Sequence, residues 1–548
     1  MTPWIFGDEY LYLSKARNIR LGIDVLADVS VGHTYPPLYS YLLSLVMGAD
    51  PFLNYQRVQI LNVLVFQVIL FLAFYLLNRV YKWSRSKIGI LLAVLTYIVL
   101  ATQPIAVGFQ LVAMSENLFT PLVVLILAIF THLHKNNTLQ NNLSRQTLWF
   151  GVLGILTASA ILTRSIGVVL IPVVVFSWLS KFVNPNLKNW NHKQFWPLIA
   201  YLITTIGLVV GFNLWEKSLV VRQALEQKGY EDLTANYFEV IKALVSGQFN
   251  WFWAVKILGN HLAYILVTSF FWPMLMLIQS TYNCFKKRRL DPILVWVILF
   301  VLATLGLSFL HCYHGFIGNP IHYSTYFRYI DQAVMVLIFY GLLDLRKLIS
   351  GKQKIDRFSM LLWLSLCALI LIFLPTRDFY TTINSLGWSW LDLLGQNSLV
   401  RSLGLAMIII TSALLLKKRL TYLVLILMIG LQIASWLPIY NLHQSLASSF
   451  QSIPRPVKQI AIDKGIKDFF ISADFMDKQL LGELYFTKYL LLFYTDKFEP
   501  VKIAPTENTF PTRKPYAWLD SPETITQNQN SFSQIVQVNQ KLSIGIVE

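Results

Sequence analysis

Residues 57–104 read RVQILNVLVFQVILFLAFYLLNRVYKWSRSKIGILLAVLTYIVLATQP. Two apolar runs flank a short loop, 79–87, that holds four Lys or Arg. A hydrocarbon core of about 30 Å takes about 20 apolar residues per helix, so each run is read as a membrane span. The basic loop between them is read as cytoplasmic, because positive charge is retained on that side. Outward from this stretch the pattern repeats. Twelve apolar runs lie near 57–80, 88–104, 117–134, 148–163, 166–182, 196–214, 256–280, 293–310, 326–345, 358–374, 399–416 and 420–439.

Composition agrees. The 548 residues are 55% hydrophobic and only 13% charged, against about 25% charged in an average soluble domain. The net charge of +17 does not point to nucleic acid, since the basic residues sit in short loops between apolar runs rather than in one aromatic-laced patch. Six alternate loops hold 21 Lys or Arg, and the intervening ones are nearly bare: 103–117 has none and 375–398 has Arg377 alone. The expected fold is therefore an all-α polytopic membrane protein of about twelve helices, with both ends outside the cytoplasm. Cys284, Cys312 and Cys367 fall inside, outside and within a helix, so no disulfide framework is expected.

Three regions follow. Residues 1–56 form an outer segment carrying the acidic pair Asp8 and Glu9, a mixed helical pattern over 10–21 that reads as a helix lying on the interface, and a short helix after Pro36 and Pro37. Residues 57–440 form the helical domain, with a polar outer loop at 215–250 too long for a simple connector. Residues 441–548 hold seven prolines, spread charges and β-like runs such as KDFFIS and LSIGIV, and read as a small extracytoplasmic α/β domain.

The candidate chemistry is all on the outer side. Neighbouring helical positions point about 100° apart, so Asp8 and Glu9 cannot face each other as a dyad; one of them is a candidate general base, against the plain alternative of a helix start rich in acid. Arg164 separates two apolar runs with no room for a loop, and Arg328 stands at the outer start of another, beside Tyr329 and Asp331. Guanidinium forks suit phosphate oxygens, against alternatives of lipid headgroups or, for Arg328, a pair with Asp331. Glu116 opens a span, where a helix dipole favours it and Ser115 stands ready as a cap; it is also a candidate acceptor or metal contact. His311, Cys312, His314 and His322 share one predicted outer loop, but lack a carboxylate at metal-site spacing, and Gly315 is expected to break any helix that would align them. No cofactor is called for by these residues. A divalent metal, with Glu9 and Glu116 among its ligands, stays open.

DEYLYLSKARNI (8–19), YPPLYSYLLSL (35–45), SENLFTPLVVL (115–125), LTRSIGVVLIP (162–172) and YFRYIDQ (326–332), in that order, resemble the C-type membrane glycosyltransferases, in particular the group of protein O-mannosyltransferases and aminoarabinose transferases. The resemblance covers about residues 4–345 and implies an inverting hexosyl or pentosyl transfer. One sugar would move from a polyprenyl-phosphate donor to a hydroxyl acceptor on protein, lipid or glycan, at an extracytoplasmic site of the cell membrane. It implies that Asp8 is the base, and it places a first spanning helix ahead of this motif. The chain as written starts without that helix, and a late start or truncation is the expectation. Physically, a sugar C1 under displacement needs a base on one face and cations on the departing phosphate on the other; Asp8 supplies the first, and Arg328, Arg164 and Tyr329 the second.

Two rivals predict other features. A transporter or flippase of lipid-linked sugars calls for ionisable residues at mid-bilayer and a repeat relating two halves, neither of which is visible. An oligosaccharide ligase calls for a large late outer loop, and 375–398 is modest. A non-enzymatic assembly scaffold stays open.

Overall fold

The structure is a computed structural model that describes residues 7–22, 36–48, 51–83, 87–136, 142–183, 195–218, 240, 242–247, 249–318, 327–349, 354–370, 385–392, 397–416, 421–452, 463, 466, 468–472, 502–504, 516–520, 522–537 and 543–547. The helices in chain order are α1 (Gly7–Leu21), α2 (Leu38–Ser44), α3 (Pro51–Tyr81), α4 (Lys87–Ala101), α5 (Pro104–Gln110), α6 (Glu116–Lys135), α7 (Leu143–Thr163) and α8 (Leu170–Leu179). They continue with α9 (Trp196–Ser218), α10 (Trp251–Thr268), α11 (Trp272–Lys287), α12 (Pro292–Gly318), α13 (Asp331–Ile349), α14 (Arg357–Ile370), α15 (Asn397–Leu416), α16 (Thr421–Ala434) and α17 (Trp436–Ser452).

Each of the twelve apolar runs contains a helix. Among the described residues, seven helices are long and apolar enough to cross a membrane, and nine if two bent pairs each count as one span. The chain is an integral membrane protein. Of the other three runs, α14 and the apolar part of α15 are short, and α13 carries Asp331, Asp344, Arg346 and Lys347.

The bent pairs correct the sequence reading. The run at 256–280 is not one straight helix: α10 and α11 meet at 102°, and α4 and α5 at 53°. At the first break Phe270 and Phe271 both take positive φ, 57° and 66°, a costly conformation for bulky residues. Trp363 Nε1 donates to the freed Phe271 carbonyl at 3.0 Å, and Pro273 restarts the helix within its first turn, where no backbone donor is lost.

Burial separates the helices. Glu116 to Leu133 of α6 and Asp331 to Leu345 of α13 are buried on every face, which is what an apolar-all-round helix does at the centre of a bundle. By contrast α3 and α9 expose Ile60, Leu64, Phe71, Ile203 and Leu214, apolar surface that a bilayer covers. The helix α1 is covered by protein: Tyr12 to Ala16 are consecutively buried, because α2 and the turn before α6 close over it.

After α17 the described residues form a five-stranded sheet of order β2-β1-β3-β5-β4, from β1 (Asp468–Ser472), β2 (Lys502–Ala504), β3 (Tyr516–Asp520), β4 (Gln534–Gln537) and β5 (Ser543–Val547). The first two pairings are parallel and the last two antiparallel. A short helix, Pro522–Gln527, packs against β5, giving the expected small α/β unit. The 215–250 segment lies mostly outside the described residues, as does His322.

Candidate active site

The site gathers where α6 and α13 begin and α7 ends. Arg164 is the one non-helical residue between α7 and a 3-10 turn, Ser165–Val169, with extended φ −150° and ψ 134°. Its amide still donates to Ala160 O at 2.9 Å, and its carbonyl accepts from Gly167 at 2.9 Å. Gly167 is required there: a Cβ would lie 2.8 Å from the Ala160 backbone. The chain thus folds back on α7 and leaves a charge, not a loop, at the reversal.

Arg164 and Arg328 both pair with Glu116, Arg164 through Nη1 and Arg328 through Nε. The second Arg328 nitrogen, Nη2, reaches Glu116 Oε2 at 3.5 Å. One carboxylate between two guanidinium groups leaves surplus positive charge at that contact, and all three side chains are buried. Such a charge group is expensive to desolvate and needs every partner in place. Burial alone would lower the Arg164 pKa, but Glu116 beside it outweighs that and holds it above its ordinary value. Tyr329 lies beneath Arg164, whose guanidinium is 5.5 Å from the ring centroid, and His311 packs edge-on against the same ring at 4.6 Å.

Three readings change here. Arg328 pairs with Glu116, not Asp331, whose Oδ1 accepts from Tyr264 OH at 2.6 Å. Ser115 is not a side-chain cap: its backbone is already helical, and its hydroxyl accepts from Tyr12 OH at 2.9 Å and from Arg164 at 3.4 Å. His311, Cys312 and His314 lie on α12, which runs through Gly315 to Gly318, because burial in the bundle offsets the modest cost of a helical glycine.

Glu9 is fully buried, and its Oε1 accepts from Ala113 N at 2.6 Å and Tyr55 OH at 2.7 Å. It thereby pins α1 to the turn between α5 and α6. The carbonyls of that turn are held from α3: Gln59 donates to Leu111 O at 2.8 Å and Asn62 to Val112 O at 2.9 Å. Tyr55, Gln59 and Asn62 are spaced i, i+4, i+7, one face of a helix. Asn117 adds bonds to Phe109, Val112 and Met114. The sequence reading missed this stripe, although three polar residues at helical spacing in an apolar span were its signal.

Of the residues singled out from sequence, Glu116, Arg164, Arg328 and Tyr329 come together, and Glu9, on α1, bonds to the adjoining turn. The Asp8 side chain lies outside the described residues, although its backbone belongs to α1. The described contacts of Glu9 are Tyr55 and Ala113, and those of Glu116 are Ser115 and the two arginines; no cluster of three His, Cys, Asp or Glu occurs among the described residues.

No protein-family model and no curated protein matches the sequence. Among solved structures, the chain is similar to ArnT from Cupriavidus metallidurans in the apo state, with a TM-score of 0.57 at 13% identity over 100% of this chain and 94% of that one. It is also similar to ArnT bound to undecaprenyl phosphate, with a TM-score of 0.50 at 13% identity and the same coverage. A looser likeness, TM-score 0.39 at 13% identity over 93% of this chain and 58% of that one, is to the Archaeoglobus fulgidus oligosaccharyltransferase in the apo form. The chain has the fold of ArnT, an aminoarabinose transferase, and the resemblance drawn from the five motifs holds at the level of the fold.

Proposed function

We propose that the chain transfers one sugar from a polyprenyl-phosphate donor to a hydroxyl acceptor, at the outer face of the membrane. The observation that carries this reading is the pair of buried guanidinium groups sharing Glu116 at one end of a bundle with the ArnT fold. ArnT itself has been seen with undecaprenyl phosphate bound.

In this reading Arg328 and Arg164 hold the phosphate of the donor, with Tyr329 packed beneath Arg164. The acceptor oxygen bonds to the sugar C1 as the bond from C1 to the phosphate oxygen breaks, inverting C1. The acceptor proton passes to Asp8, and the polyprenyl phosphate departs with the electron pair. Charge grows on the phosphate in the transition state, where preorganised cations act most strongly. Glu116 keeps the two arginines aimed in the absence of substrate, and Glu9 positions the α1 helix whose backbone carries Asp8.

The test is sugar release from a panel of radiolabelled polyprenyl-phosphate sugars in membranes, with the chain as written, an upstream-extended version and Asp8→Asn in each. Turnover abolished by Asp8→Asn is expected. Absence of turnover across the panel, with inserted and folded protein, overturns the reading.

A further inference from the structure

The short segment between α14 and α15, Ser385–Asp392, enters the bundle as a 3-10 turn followed by one turn of α-helix, and Ser385 to Ser389 are all buried. Its backbone is read by a side chain of α10: Gly387 N donates to Tyr264 Oη at 3.1 Å, and Tyr264 OH donates to Asp331 Oδ1 at 2.6 Å. Asp331 Oδ2 has no hydrogen-bond partner among the described residues, so Tyr264 is the donor that holds this buried carboxyl. Gly387 is a close-approach glycine. A Cβ there would lie 2.3 Å from Thr268 Cγ2 and 2.7 Å from Tyr264 Oη. On the other side Leu386 fills the space above Gly108 of α5, where a Cβ would meet it at 2.6 Å.

Ring contacts tie the same parts together. Phe327 stacks on Tyr264, with centroids 4.3 Å apart and planes at 15°, and meets Trp388 at 4.9 Å. Arg328 follows Phe327 directly and precedes Asp331 by three residues. The tight turn that presents Arg328 is therefore gripped at both ends by one assembly: Phe327 between Tyr264 and Trp388, and Asp331 by Tyr264. An arginine held only through Glu116 could still pivot; this grip sets its backbone.

We propose that Ser385–Asp392, acting through Tyr264, positions Arg328, so that the affinity of the arginine pair for a lipid-linked phosphate depends on how this segment is seated. The inference rests on the phosphate-binding role assigned to Arg328 above, and makes Tyr264 and Gly387 positioning residues for it.

The experiment is titration of purified chain in nanodiscs with undecaprenyl phosphate, using wild type, Arg328→Ala, Tyr264→Phe, Gly387→Ala and the double variant Tyr264→Phe/Arg328→Ala. Tyr264→Phe keeps the ring stack and removes both hydrogen bonds, so it is expected to weaken binding about tenfold, while its unfolding midpoint stays within a few degrees of wild type. The double variant is expected to bind no more weakly than Arg328→Ala alone, since the two residues act as one unit. In turnover, the donor KM is expected to rise and kcat to fall as well, since the displaced cation is the one that meets the charge growing on the phosphate. Binding unchanged in a folded Tyr264→Phe, with Arg328→Ala still impaired, overturns this inference and leaves the phosphate-binding reading standing. Wild type that does not bind the lipid phosphate, or Arg328→Ala that binds it as well as wild type, overturns the reading on which it rests. Gly387→Ala adds an independent measure, and if it fails to fold Tyr264→Phe decides.

Discussion

The two ends of the helical bundle carry charge in opposite ways. At one end Arg164 and Glu116 are 8% and 0% exposed and share their contact with Arg328. At the other, Lys135 and Asp291 stand 3.4 Å apart with side chains 39% and 32% exposed, near the exposed run Lys286 to Arg289. The second end has more cations, yet solvent and salt screen them, and such pairs contribute little. The first end has fewer, but each is desolvated and shared. Burial of charge, not its amount, marks the site.

The comparison breaks most readily at Glu116. Glu116→Gln leaves two buried guanidinium groups without their counter-charge, so a loss of about 3–5 kcal/mol is expected, seen as a large drop in unfolding midpoint in detergent. An unchanged midpoint would mean that the arginines are solvated after all. Removing one cation is the next largest effect. Arg328→Ala should reduce turnover on the order of 10²–10³-fold, and Arg328→Lys should recover only part of it, since an ammonium lacks the planar fork. Equal activity of the Lys variant would argue against bidentate phosphate contact.

Smaller still is Tyr55→Phe, which deletes a donor to the buried Glu9 carboxylate. It should cost about 1–3 kcal/mol and loosen α1, detectable as faster amide exchange over residues 9–18 with little change elsewhere. Smallest is Lys135→Ala at the opposite end, expected to change stability by less than about 1 kcal/mol, with the effect vanishing in high salt. Burial raises the Asp291 carboxyl pKa, but Lys135 and the Ile293 amide outweigh it and leave it below its ordinary value. Any stability from that depression is present above the unfolded carboxyl pKa and lost as pH falls through the lower folded value. Lys135→Ala should flatten that acid-side loss.

What could be read in advance follows the same division. Spans were legible because hydrophobicity accumulates over twenty residues, and Arg164 was legible because a charge with no loop to hold it stands out. Glu116 was visible but its partners were not: a helix start explains an acid well, and nothing local shows that residues 48 and 212 positions away converge on it. The α10–α11 break was hidden, since Thr268 to Phe271 include neither Gly nor Pro, and left-handed phenylalanines are imposed by packing. The polar face of α3 was legible in principle, but its hydrophobic surroundings outvoted it. The Tyr264 to Gly387 link, 123 residues apart, has no local signature at all.

The length of α3 has one more consequence. Its 31 residues extend about 46 Å at 1.5 Å per residue, well beyond a hydrocarbon core of about 30 Å. A helix longer than the hydrocarbon is thick takes up the excess by tilting. Gln59 and Asn62 hold the carbonyls before α6, so that turn moves with the lean of α3. Bilayer thickness becomes a variable of the site: in a thicker membrane α3 stands more upright, and in a thinner one it leans further.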